Sequence, residues 1–105
     1  MFKINRNPTF SHKVKIRVPV DGGFADHEFT ARFKHVPWSE LSAVERDPAE
    51  QLRRVWIGWD GIANENGEAL SYSDEAREML IDMMFIRVPV LKAYVDAVTG
   101  VKRGN

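Results

Sequence analysis

The sequence predicts an α+β fold: a small antiparallel β-sheet followed by three to four helices packed on one of its faces. Three observations carry this. Two N-terminal stretches alternate apolar and polar residues with a period of two. From Pro37 onward the apolar spacing changes to three and four. Two stretches there also open with helix-start residues.

The first strand is read from Val14, Ile16, Val18 and Val20, alternating with Lys13, Lys15, Arg17 and Pro19. Pro19 removes a ladder donor and so favours an edge strand or a strand end. Asp21-Gly22-Gly23 follows as a turn triplet. The second strand is His27, Phe29, Ala31 and Phe33, alternating with Glu28, Thr30, Arg32 and Lys34. Together they make a hairpin. Phe2 and Ile4 are the candidates for a third short strand before the Asn7-Pro8 break.

A short helix is expected over 38–45. Asp47-Pro48-Ala49-Glu50 then gives an N-cap acid, Pro at the first helical position and an acid in the first turn. Leu52, Val55, Trp56 and Trp59 read as the apolar stripe of that second helix, with Gly58 and Gly61 bracketing its end. Asn64-Glu65-Asn66-Gly67-Glu68 reads as a polar turn. Ser73 is the expected cap of a third helix, with Asp74 and Glu75 at its positive end and Leu80, Met83 and Met84 on its inner face. Pro89 is expected to open a fourth helix, with Val90, Leu91, Tyr94, Val95 and Val98 on one side and Gly100 as its C-terminal cap. Arg-Val-Pro-Val occurs at 17–20 and again at 87–90, once as a strand end and once as a helix start.

The 105 residues suit one domain: 1–36 β-rich, 37–100 α-rich and 101–105 a tail. No apolar run approaches the ~18 residues of a membrane span, so no membrane partner is expected. The first residues lack the pattern of a signal peptide, and a cytosolic address fits. The absence of Cys excludes disulfides, zinc–thiolate sites, iron–sulfur clusters and thiol catalysis. The formal net charge is zero. It is the sum of unequal parts: residues 1–36 carry seven basic and three acidic groups, 37–100 carry six and twelve, and the tail adds Lys102 and Arg103. Zero net charge argues against a protein that coats nucleic acid. A basic hairpin face of Lys13, Lys15, Arg17, Arg32 and Lys34, near Phe10 and Phe24, is the one feature favouring a small nucleic-acid-binding regulator. Lys and Arg that keep an exposed sheet face soluble explain it better.

No chemistry-bearing motif stands out. His27 and His35 lie eight residues apart on one strand, over ~20 Å if extended, too far for one metal. The 62–73 stretch fails as a calcium loop because Ile62 and Ser73 would stand where carboxylates belong. Asp74, Glu75, Glu78 and Asp82, with Arg77 among them, read as a solvated helix face. No enzyme, no metal and no cofactor are therefore expected. The aromatic and Met residues are the candidates for partner binding. Trp56 and Trp59 serve as core or as interface anchors, with core favoured for Trp56, and Trp38 as a packing hinge. Met79, Met83 and Met84, with Phe85 and Ile86, read as core before partner groove, although a Met-rich surface adapts to several partners.

Several segments together carry a resemblance. These are Phe2-Lys3-Ile4-Asn5-Arg6-Asn7-Pro8-Thr9-Phe10, Val55-Trp56-Ile57-Gly58-Trp59-Asp60, Glu68-Ala69-Leu70-Ser71-Tyr72-Ser73 and Tyr94-Val95-Asp96-Ala97-Val98-Thr99-Gly100. In order and spacing the chain resembles the tail assembly chaperones of long-tailed phages and prophages. That resemblance implies a non-catalytic protein that binds the tape-measure protein, and in second place tail-tube subunits, in the host cytoplasm. It implies departure before the virion matures. A structural tail component, such as a tube-end or connector protein, is the alternative, and self-association is left open. The tape measure is expected in a groove between the last two helices and the Trp56–Trp59 turn. Lys13 and Lys15 are expected to discriminate between two partners.

Overall fold

A computed structural model describes residues 1–100. The tail at 101–105, with Lys102 and Arg103, lies outside the described residues. A three-stranded antiparallel sheet and four helices form the α+β fold. The elements are β1 (Thr9–Val20), β2 (Gly23–Lys34), α1 (Trp38–Ser42), α2 (Pro48–Val55), β3 (Trp56–Asp60), α3 (Asp74–Ile81) and α4 (Met84–Thr99).

β1 and β2 pair from Thr9↔Lys34 to Val20↔Gly23. Only Gly22 of the expected turn triplet takes a positive φ, 76°, and Gly23 already belongs to β2. β1 is an edge strand, which is where Pro19 costs least. Val14, Ile16, Phe29, Ala31 and Phe33 face the helices and are buried.

The third strand is not the N-terminal segment. Phe2 and Ile4 are exposed and belong to no strand among the described residues, and the Asn5 side chain accepts from the Asn7 N–H, bending the chain there. The strand is Trp56–Asp60, a stretch whose Trp56 and Trp59 spacing predicts a continuation of the second helix. α2 stops at Val55 because the run that follows is aromatic and β-branched and contains Gly58, a composition that favours extended backbone. β3 pairs with β2 through Ala31↔Trp59 and Phe33↔Trp56, with a register shift between them.

The helix starts behave as their caps require. Asp47 accepts from the Glu50 N–H at 3.1 Å, and Ser73 accepts from the Ala76 N–H at 3.0 Å. The polar turn at 64–68 closes a minimal hairpin. There the Asn64 N–H donates to Glu68 and its side chain accepts from Asn66 and Glu68. α4 begins at Met84, five residues before Pro89, so Pro89 sits inside the helix. Its first turn is held by Ile86 and Arg87 N–H groups on the Met83 carbonyl and by Arg87 Nε on the Ile81 carbonyl. Pro89 withholds one donor from the ladder without ending it, because Ile86 and Val90 bury on either side of it. Gly100 caps the helix at φ 70°.

One core joins the layers. Leu52, Val55, Trp56, Leu80, Ile81, Ile86, Val90, Ala93 and Tyr94 pack on the inner sheet face. No described helix is long and apolar enough to cross a membrane.

Candidate functional site

α4 is apolar on more than one side. Ile86, Val90, Ala93 and Tyr94 face the core. Met84, Val88, Leu91 and Val95 recur at intervals of four, three and four, and so line the opposite side. Met84 is 65% exposed, Val88 55% and Val95 48%, with Leu91 half-buried between them. A surface helix ordinarily keeps its outward side polar, so a second apolar stripe needs a reason.

Grooves border this stripe on both sides. One, of about 440 Å³, runs between it and Pro48, with Arg87 at its rim. The other, of about 790 Å³, lies between α4 and the turn-proximal half of the hairpin. Ile16, His27, Phe85 and Val88 are among its walls, and Lys15 and Lys92 are among its charged lining. The hairpin makes this concavity because its far end extends past the helices: Val18 and Ala25 are half-buried there and Val20 is exposed, although all three point inward.

Electrostatics are set at the rim. Arg17 pairs with Asp26 at 3.3 Å and Lys13 with Glu28 at 3.8 Å. Among the described residues, Lys15 and Lys92 have no acidic partner within bridging distance. The Arg53–Glu78 pair, with Nε donating to both carboxylate oxygens at 2.9 Å, ties α2 to α3. That hydrogen bond holds the Glu78 carboxyl below its ordinary range.

The sequence-derived candidates separate. Met84 and Lys15 share the larger groove. Lys13 is on the outer sheet face, engaged with Glu28. Trp56 is fully buried, its indole N–H donating to the Gly58 carbonyl at 2.9 Å, and it offers nothing to a partner. Trp59 is half-buried and donates to the Leu70 carbonyl at 2.7 Å. With Tyr72, ring centroids 5.1 Å away, it clamps the 62–72 connection onto the sheet. Met83 packs against the core. Trp38 is exposed rather than a packed hinge. Phe10 is also lost to the basic face: it points inward and stacks on Tyr94 at 6.1 Å. Phe24 remains outside, under the Arg17 guanidinium.

Arg77 departs from the solvated face assigned to it. Its Nη1 donates to the carbonyls of Arg53 and Trp56, both at 3.0 Å. Among the described residues, no three His, Asp or Glu side chains gather where they could hold a metal ion.

Val88 falls outside the predicted apolar side of this helix, and Leu91 and Val95, predicted on one side with Val90 and Tyr94, part from those two buried residues. A signal was present: the apolar residues of 84–98 exceed what one helix face can hold. Comparison with protein-family models, with curated proteins and with solved structures finds no match.

Proposed function

We propose that this chain is a non-catalytic tail assembly chaperone of the long-tailed phage type, acting in the host cytoplasm. Its partner is the tape-measure protein, with tail-tube subunits as a second, later partner. The single observation that carries the reading is the uncovered apolar stripe of α4 beside an open groove. An exposed row with helical spacing is suited to receive the apolar face of another helix. At 1.5 Å per residue, Met84 to Val95 spans roughly 16 Å, enough for about three turns of a partner. A contact of that length, open on one side, gives the moderate affinity that displacement by tube subunits requires.

The nucleic-acid reading loses ground. Two of the five basic side chains of the outer sheet face are in ion pairs with Asp26 and Glu28. Arg32 donates to the Ser11 and Thr9 hydroxyls, and Phe10 faces the other way.

The test is co-expression of the full chain with the long tape-measure frame of the same phage or prophage. The expected result is a soluble complex that is lost on displacement, with the chain absent from purified particles. Finding the chain in finished particles would replace the chaperone with a structural tail component. Finding no complex at all would end both readings.

A further inference from the structure

The chemistry of the groove defines its occupant more narrowly than an apolar face does. We infer that the corner between the hairpin and α4 takes an amphipathic helix whose apolar face is flanked by acidic side chains. This rests on the chaperone reading for the identity of the protein that supplies the helix.

The floor is apolar: Ile16, Phe85 and Val88 reach it from two elements. The lining carries both signs, but the acids are already engaged. Asp26 holds Arg17 and Glu28 holds Lys13. Among the described residues, what is left over is cationic: Lys92 beside Leu91, and Lys15, which belongs to the outer face of the edge strand and borders the groove at its rim. An ammonium group beside an apolar groove attracts carboxylates and repels Lys or Arg, which selects partners more than it tightens binding.

Two labelled synthetic peptides of 20 residues test the inference on the full chain by fluorescence anisotropy. Both present the same Leu face at helical spacing; one is flanked by Glu and the other by Lys. The Glu-flanked peptide is expected to bind roughly five- to tenfold tighter at low salt, as two rim ion pairs supply. The preference should shrink at high salt and reverse in the Lys15→Glu/Lys92→Glu variant. Val88→Asp should abolish binding of both, and circular dichroism checks its fold; Met84→Glu serves as a second exposed probe. Equal affinity for the two peptides, or no binding of either, overturns the inference. So does a concentration-dependent dimer in sedimentation that Val88→Asp dissolves, because a second copy would then be the occupant. Preferential Glu-peptide binding without any tape-measure complex would remove the phage assignment while the groove's selectivity stands. A tape-measure complex with no charge preference would do the reverse.

Discussion

The Tyr94 hydroxyl accepts a hydrogen bond from the Val36 N–H at 3.3 Å, joining α4 to the chain just as it leaves β2. Both residues are buried. The Tyr94 ring also meets Phe33 edge-on at 5.3 Å and stacks on Phe10 at 6.1 Å. These contacts fix which side of α4 faces the sheet, and therefore which side carries Met84, Val88 and Val95 outward. Removing the hydroxyl leaves a buried N–H unsatisfied while the ring still packs. Because 3.3 Å is a long hydrogen bond, Tyr94→Phe should cost about 1 kcal/mol, the lower end for such a loss. For a domain of this size that lowers Tm by roughly 4–8 °C. Thermal unfolding measures it; an unchanged Tm would show that the hydroxyl contributes nothing net.

The same tyrosine makes stability fall at high pH. Burial raises its pKa above the ordinary 10.0, more than the Val36 N–H lowers it. The folded chain keeps this proton where the unfolded chain has released it. Its contribution is therefore complete below about pH 10 and is lost as pH rises through the folded value. Tyr72 is raised too, first by burial and then by its hydrogen bond to Asp74, but it is more exposed. The alkaline decline of Tm should be shallower in Tyr94→Phe than in the parent, and less altered in Tyr72→Phe. Parallel declines in all three would reject this assignment.

Much of the fold was legible because its signals are local. Alternation at 14–20 and 27–34 and the caps Asp47, Ser73 and Gly100 act within a few residues. β3 was not legible for a specific reason. Trp56 and Trp59 lie three apart, a helical spacing. The shifted register with β2, in which Arg32 pairs with Gly58 and Phe33 with Trp56, leaves Ile57 as an extra residue. That puts both Trp rings on one strand face, 5.4 Å apart, and a bulge imitates a helix stripe. The stripe of α4 was hidden differently. Two apolar arcs in one helix merge into a single hydrophobic run, and only the position of the sheet divides core from surface.

Arg77 caps another helix from a distance. α2 ends without a residue in the left-handed conformation, and its carbonyls at Arg53 and Trp56 receive Arg77 Nη1 instead. Its guanidinium also lies over the Tyr72 ring at 5.9 Å. Arg77→Met keeps the aliphatic stem and removes both bonds, so a loss of about 1–3 kcal/mol is expected. Arg77→Lys should recover less than half of it, since an ammonium lacks the planar fork. Urea unfolding of the two variants decides; full recovery by Lys would reduce the role of Arg77 to charge alone.

Acid should loosen the contact between α2 and α3. Glu78 has a lowered pKa, chiefly through the hydrogen bond from Arg53. A carboxyl so held contributes above its ordinary value of 4.5 and loses that contribution as pH falls through the folded value. The pair is solvent-exposed, so the effect is small and salt-sensitive. Glu78→Gln should slightly lower Tm at pH 7 and match the parent near pH 2. Differences that persist at pH 2 would point to packing instead of charge.

The last prediction separates the two places where the tape measure was sought. Trp59 is bound to the Leu70 carbonyl and stacked near Tyr72, so Trp59→Ala should act on stability through the 62–72 connection. Val88 is exposed and stands in both grooves of α4. Val88→Asp should leave Tm within a few degrees, as surface substitutions do. It should nevertheless weaken tape-measure capture by more than about tenfold, because a carboxylate in the middle of an apolar contact must be desolvated. Trp59→Ala, examined at a temperature where it remains folded, should capture within about twofold of the parent, a difference below about 0.5 kcal/mol. Capture lost in Trp59→Ala and retained in Val88→Asp would move the binding face from α4 to the edge of β3.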